Sequence, residues 1–370
     1  MSRKIGFYCS SMSWGGLEMN FIRYAKWLQE VNFDVVVFCV NNSKILEKAI
    51  ELRIPYIVIK RNKKNFDWKN AKILKKHLIK LKIDTVWVRD RRDINIFALL
   101  KRKKGTRHIK LVYQQAMQFA KKKKDIFHTR NYKQVDYWIA PLQFLKEEVI
   151  QKTRFLKEKI HVIPLASDID TKKASISKKT ALDTLNLPEE KTIIGVIGRL
   201  DPLKGQLFLV KALAQIKDEF PELDLLIVGE KTYNEHDDYL KELNTTIKNE
   251  ELSNRVHLRP FMKDIRYFFA SVDRFIMASK AETIGMVTIE SMSYGTPVIG
   301  TNSGGTPELL EFGKLGSLYT VNDQADFIQR LKDSLKNSEQ VKETARRAKE
   351  IALKKYSKSE VVKAIVELLS

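Results

Sequence analysis

Among its 370 residues the chain has no run of about 18 uninterrupted apolar residues, the length a helix needs to cross a bilayer. No transmembrane helix is therefore expected. Met1 to Ser10 is short and strand-like, without the long apolar stretch and small-residue cleavage site of a secretory leader, so no signal peptide is expected either. Cysteine is scarce. Only Cys9 and Cys39 occur, both in apolar strand-like runs, which favours two buried thiols in a cytosolic protein over a disulfide. The six histidines show no metal-ligand spacing. No repeat or long low-complexity tract is visible.

Acidic residues are scarce in one half only. The net charge is +22, yet residues 1–165 hold 37 Lys and Arg against 14 Asp and Glu, whereas residues 166–370 hold 30 against 31. Lysines scattered for solubility would not segregate in this way, so the first half is read as facing a polyanionic surface. Anionic lipid and nucleic acid both fit the charge alone.

The length favours two domains, and a 44% hydrophobic content supplies two cores. Short apolar runs at Lys4–Cys9, Asp34–Val40, Tyr56–Ile59, Asp84–Val88 and Lys110–Tyr113 read as strands. Amphipathic segments such as Leu17–Gln29 and Trp68–Leu81 separate them with helical spacing. The alternation resumes at Thr192–Ile197, Leu223–Val228, Arg255–Leu258, Asp273–Met277, Pro297–Gly300 and Ser317–Thr320, with helices at Gln206–Lys217 and Tyr239–Asn249. Such alternation predicts two α/β, doubly wound, Rossmann-like parallel-sheet domains. The boundary is placed near Val162–Thr180, giving residues 1–165 and 166–355, with a terminal segment 356–370. In such folds ligands bind beyond the carboxyl ends of strands, which directs attention to the loops there.

After the strand ending at Ile197 comes Gly198-Arg199-Leu200-Asp201-Pro202-Leu203-Lys204-Gly205, then a helix. Gly198 permits a tight turn, and Arg199 and Lys204 suit a diphosphate at a helix start. The plainer reading is a turn with two solvated cations. After the strand Asp273–Met277, Glu282 lies on a loop, and Glu290 lies about one turn into a helix opening near Gly285. A loop carboxylate can accept from sugar hydroxyls, and a helix carboxylate can take both hydroxyls of a ribose. The free amides around Gly285, Met286 and Val287, beside Ile284, would then face phosphates. An exposed loop acid and a solvated helix acid are the plainer alternatives.

These residues resemble the GT-B retaining glycosyltransferases of family 4. The likeness is carried by Gly-Arg-Leu-Asp-x-x-Lys-Gly at Gly198–Gly205, Glu-x7-Glu from Glu282 to Glu290, Gly-x-Pro-Val-Ile at Gly295–Ile299, Gly304-Gly305-x-x-Glu308, and Gly229 after its strand. It covers most of residues 160–320 and, more loosely, 1–30. The resemblance implies the GT-B fold, two domains facing across a cleft, with the terminal helix returning to the first domain. It implies that Arg199 and Lys204 hold the donor diphosphate, Glu282 the sugar and Glu290 the ribose. Glu282, Arg199 and Lys204 are the catalytic candidates. No cofactor and no metal are expected.

In the first half, Gly15 and Gly16 sit between a strand and a helix, and resemble the Gly-rich loop that family 4 places against diphosphate or acceptor. Many family members carry a His after the strand read as Lys110–Tyr113, where this chain has Gln114 and Gln115. An amide can hydrogen-bond a hydroxyl but cannot act as a general base. His128, with Asp125 and Arg130, is an acceptor-side candidate or an ordinary surface histidine. Arg89 and Asp90 are candidates for an anionic acceptor, or pair among their charged neighbours. Asp168-Ile169-Asp170 matches the metal motif of the GT-A architecture but is read as linker. The expected partners are a nucleotide-diphosphate sugar, a glycan or lipid-linked acceptor, and an anionic membrane surface at the inner face of the cytoplasmic membrane. A nucleic-acid-binding protein and a related glycan phosphorylase are the rival readings; the first lacks interleaved aromatics, the second a cofactor lysine motif and extra length.

Overall fold

The computed structural model describes residues 3–62, 67–167, 169, 175–230 and 237–370. The chain divides into two compact units, Met1–Ala166 with Lys358–Ser370, and Ser167–Ser357.

In the first unit the strands are β1 (Lys4–Cys9), β2 (Asp34–Val40), β3 (Tyr56–Ile59), β4 (Thr85–Val88), β5 (Lys110–Gln114), β6 (Tyr137–Ala140) and β7 (Ile160–Val162). They form one sheet in the order β3-β2-β1-β4-β5-β6-β7, and every pairing is parallel. Helices cover both faces of such a sheet, so its central strands are continuous apolar runs rather than alternating ones. Phe7, Trp87 and Phe21 meet there, with the Phe7 and Trp87 rings stacked at 5.5 Å. Cys9 and Cys39 are register partners on β1 and β2, both buried and both free; burial pushes the Cys9 thiol up to about 11. Helix Lys358–Leu369 buries Val361, Val362, Ile365 and Leu369 in this unit. Its first residue, Lys358, pairs with Glu30 at 2.6 Å and lies over the Trp27 ring.

The second unit contains β8 (Thr192–Ile197), β9 (Leu223–Val228), β10 (Val256–Arg259), β11 (Arg274–Met277), β12 (Val298–Thr301) and β13 (Ser317–Tyr319). Their order is β10-β9-β8-β11-β12-β13, again all parallel. One face packs on helix Gln206–Ile216, where Leu209, Leu213, Leu225, Ile276 and Ile299 join a single apolar cluster.

Both sheets reverse strand order once, between β1 and β4 and between β8 and β11. Loops leaving adjacent strands there go to opposite faces and open a crevice at the strand ends. The reversal thus brings the Gly198–Gly205 turn beside the Glu282 loop, and the Gly15–Gly16 turn beside Arg89–Asp90. Strand β6 was not among the runs expected from sequence. It is four residues long, and four apolar residues do not distinguish a strand from a buried helical turn.

Candidate functional site

The turn after β8 is built on a close backbone approach. A Cβ on Gly229, whose φ is +156°, would lie 1.9 Å from the Gly198 carbonyl oxygen. Glycine is therefore compulsory at Gly229, and it lets Gly198 N–H donate to Val228 O and Leu200 N–H to Glu230 O. Asp201, buried, accepts from Leu203 N–H at 2.8 Å, capping the short turn Pro202–Lys204, and from Arg199 Nη2 at 2.7 Å. The Arg199 main chain is held from the other side. Gln206 Nε2 donates to its carbonyl at 2.9 Å, and Tyr239 OH donates to Gln206 Oε1 at 3.0 Å. Asp201, Gln206 and Tyr239 were not among the residues predicted to matter. Asp201 lay inside the motif, whereas Tyr239 is remote in sequence and gave no signal.

The loop after β11 is fixed by Gly304-Gly305. A Cβ on Gly304, at φ +63°, would come within 1.8 Å of Glu282 O, and Gly305 N–H donates to that oxygen at 2.9 Å. Thr301 and Ser303 hydroxyls donate to the carbonyls of Ser279 and Lys280, bracing the same loop. Beyond it, Gly285 caps helix Met286–Tyr294 in the left-handed region without a side-chain cap. The first-turn amides at Met286 and Val287 have no carbonyl one turn earlier in that helix. Ile284 is buried, and Met286, Val287 and Glu290 are partly buried.

Direct contacts join these pieces into one surface. Lys204 Cδ passes 4.0 Å from where a Gly198 Cβ would stand, and Lys204 Nζ donates to Glu282 Oε2 at 2.6 Å. The Glu282 Cγ lies 3.6 Å, and Thr288 Oγ1 3.4 Å, from the corresponding point on Gly285. Thr288 Oγ1 is buried without a hydrogen-bond partner. The structure therefore assembles Gly198, Lys204, Glu282 and Gly285 side by side, with Arg199 on the same turn and Glu290 a turn into the helix. The Lys204–Glu282 ion pair was not foreseen. A cation, a carboxylate and a helix N-terminus in contact can receive an anionic group and a neighbouring polyol together.

In the first unit the predicted residues fare unevenly. Gly15 has an extended backbone that any residue adopts, and caps helix Gly16–Glu30; a Cβ on Gly16 would meet nothing within 4 Å. Neither glycine is required by packing, and the two form an open helix start. Arg89 is ion-paired with Glu18, both nearly buried, and its Nε has no hydrogen-bond partner. Asp90 caps helix Arg91–Leu100 through Arg92 N–H and binds the Arg92 guanidinium. Burial opposes ionisation of Asp90, but the Arg92 bonds outweigh it and hold the carboxyl below its usual range. The two residues expected to offer an anion site are thus engaged with neighbours, Arg89 through Glu18 rather than through Asp90.

Gln114 and Gln115, the acceptor-side candidates after β5, face the core. Both are buried, because indole N–H groups in the core need acceptors: Trp87 Nε1 donates to Gln114 Oε1 at 3.2 Å and Trp138 Nε1 to Gln115 Oε1 at 3.0 Å. Gln115 Nε2 donates onward to Met117 O and Glu148 Oε2. His128 Nδ1 sits 2.6 Å from Asp125, which caps the short helix Ile126–Tyr132. Asp168 and Asp170 lie outside the described residues. Among the described residues no group of three or more His, Cys, Asp or Glu could hold a metal ion, and no helix is long and apolar enough to cross a membrane.

Comparison with known proteins follows the same division. Residues 177–354 match the family model described as Glycosyl transferases group 1, and residues 14–171 match Glycosyltransferase Family 4. Spore coat protein SA of Bacillus subtilis is 32% identical over 157 residues, 40% of this chain and 41% of that protein. The lipopolysaccharide core biosynthesis glycosyltransferase LpsE of Rhizobium meliloti is 28% identical over 186 residues, 50% of this chain and 52% of that protein. The chain thus spans about half the length of the curated relatives it matches. Among solved structures, Anabaena HepE in complex with UDP superposes with a TM-score of 0.87 at 23% identity, covering 99% of both chains. A glycosyltransferase from Rickettsia africae gives 0.84 at 20% identity, over 99% of this chain and 97% of that one. At these identities the likeness establishes the fold, which is GT-B.

Proposed function

This chain belongs to the group 1 glycosyl transferases, and from that premise we propose that it transfers a sugar from a nucleotide-diphosphate donor to a glycan or lipid-linked acceptor, with retention at the anomeric carbon. The observation that carries the reading is the Lys204–Glu282 contact above Gly198. The donor is assigned to the second unit. Arg199 and Lys204 would take the diphosphate together with the Met286 and Val287 amides, Glu282 the sugar hydroxyls, and Glu290 the ribose.

The chemistry asked of these groups is leaving-group stabilisation. As the bond to the sugar breaks, charge grows on the diphosphate, and fixed cations and amides aimed there lower the barrier without reorganising. In this reading they neutralise the leaving group without a metal ion. Asp201 and the Gln206–Tyr239 pair hold Arg199 in place for that purpose. When phosphate arrives, Lys204 moves from Glu282 to the anion or bridges both. The open start of helix Gly16–Glu30 is the part of the first unit best suited to backbone approach, because nothing in packing demands its glycines. The solved HepE complex with UDP supports a nucleotide donor by analogy, and LpsE supports a surface-glycan role in the same way. The excess of cations in residues 1–165 supports peripheral attachment to the inner face of the cytoplasmic membrane.

Calorimetric titration with UDP, GDP and ADP, followed by a donor-hydrolysis panel, tests the assignment. Binding of one nucleotide that Arg199→Ala and Lys204→Ala each weaken by ~10–100-fold is the expected result. A chain that binds none of them, or whose binding ignores both substitutions, is not this enzyme.

A further inference from the structure

Within the first unit, two basic segments that are separate in sequence form one surface. Residues 68–83 contain six lysines and residues 101–110 six lysines and arginines, with no Asp or Glu in either. Helix Trp68–Lys80 buries Asn70, Ala71, Leu74 and Leu78 and turns Lys69, Lys72, Lys76 and Lys80 outward. The segment after helix Arg91–Leu100 lies beside it. Lys103 Nζ sits 5.4 Å from the centre of the Trp68 ring, and a Cβ on Gly105 would touch Ile79 Cδ1 at 3.3 Å. Lys103, Lys104 and Arg107 are exposed there.

The same surface carries apolar side chains where a solvated face would not. Trp68, Ile73 and Ile79 are 55%, 48% and 49% exposed. Around the helix Trp68 and Ile79 fall on one edge of the outward face and Ile73 on the other, with the lysines between them. Like charges spaced three and four residues apart, at 69, 72, 76 and 80, repel one another in water. That repulsion is relieved against a dense negative surface, and the flanking Trp and Ile gain by entering an apolar layer just below it. A nucleic-acid groove would ask for several stacking aromatics among the cations, and Trp68 stands alone on this helix.

We propose that the outward face of helix Trp68–Lys80, joined to Lys103–Arg107, is the surface by which this chain docks on an anionic lipid bilayer, with Trp68 and Ile79 entering the interface. The proposal rests on the membrane reading above and is independent of the donor assignment. It distinguishes this face from the other lysine cluster, Lys121–Lys124, beside which Ile126 is exposed.

The test is sedimentation of the full chain with vesicles of phosphatidylcholine and phosphatidylglycerol at 70:30, against pure phosphatidylcholine, in low and high salt. Wild-type protein should bind the mixed vesicles only, and lose binding as salt shortens the screening length. Lys72→Glu with Lys76→Glu should weaken binding by at least ~20-fold, since each cation near such a surface contributes about a factor of five. Lys121→Glu with Lys122→Glu should change it little. Trp68→Ser with Ile79→Ser should weaken binding and abolish the blue shift of tryptophan emission on vesicles, while thermal melts confirm folding. UDP, GDP and ADP titrations of the Lys72/Lys76 variant should match wild type, which separates this surface from the donor site. The proposal is overturned if wild type ignores phosphatidylglycerol, or if the Lys121/Lys122 pair carries the binding instead. Tighter binding of an RNA oligonucleotide, lost with Lys72 and Lys76, would also overturn it.

Discussion

Lys204 Nζ donates to Glu282 Oε2 at 2.6 Å across a sequence separation of 78 residues, so one ion pair ties the turn after β8 to the loop after β11. Both side chains remain partly solvated, at 32% and 20% exposure. Such a pair adds at most about 1 kcal/mol to stability. Its small expected contribution to stability and its position on the two motifs are what the donor-binding role proposed for it rests on.

Lys204→Ala should therefore leave the melting temperature within a few degrees of wild type while weakening nucleoside diphosphate binding by ~10–100-fold, the range for one charge-assisted hydrogen bond. Glu282→Gln should retain nucleotide affinity and reduce sugar transfer. Calorimetry and donor hydrolysis on the two variants separate these effects. Unchanged nucleotide affinity in Lys204→Ala would remove Lys204 from the phosphate site.

Two glycines should respond in opposite ways. Gly229→Ala forces a Cβ against Gly198 O at a left-handed φ, and should destabilise the second unit by about 2–4 kcal/mol in thermal or urea unfolding. Gly16→Ala meets open space at the first turn of a helix and should stabilise by about 0.4–1 kcal/mol. If the Gly16 backbone approaches a ligand, sugar transfer by that variant falls even as its stability rises. Transfer equal to wild type would make Gly16 a neutral helix start.

Most of the fold was legible because parallel strands buried on both faces are unbroken apolar runs, and β1, β2, β8 and β9 were bounded correctly on that signal; the exposed edge strand β3 was bounded by its short apolar run alone. Strand β6 escaped because its four residues fit a buried helical turn as well as a strand. The turns of the second-unit candidate site were legible through the order of its motifs, since Gly229 and Gly304 are demanded by close backbone contacts. Its ion pair was not, because partners 78 residues apart leave no trace in local spacing. The first unit was least legible. Arg89 with Glu18, and Gln115 with Trp138, are tertiary pairings that turn residues read as ligand-facing into buried structural ones.

Gln115→Leu should accordingly act as a stability variant. It leaves the Trp138 indole N–H buried without its acceptor and removes the amide donor to Glu148. The cost should be about 1–3 kcal/mol, the penalty for an orphaned buried polar group. Nucleotide affinity should not move. A variant as stable as wild type but impaired in transfer would return Gln115 to the acceptor side.

Asp93 should make the first unit lose stability as pH rises through the mildly acidic range. It is fully buried, and burial lifts its carboxyl to about 6 from an ordinary 3.8, even though Ser10 and Asn62 donate hydrogen bonds to it. Between those values the folded protein keeps a proton that the unfolded chain has released, so folding binds protons and stability falls with rising pH. The contribution is full below about 3.8 and lost as pH passes about 6. A shift of roughly two pH units corresponds to at most about 3 kcal/mol. Asp93→Asn is neutral throughout and keeps an oxygen for the Ser10 hydroxyl, so its stability should change less over this range. Urea unfolding of both proteins at pH 4.5 and pH 7 measures the difference directly. Wild type should lose about 1–3 kcal/mol more than the variant between the two pH values, whereas parallel behaviour would mean that Asp93 is already ionised in the folded unit at acid pH.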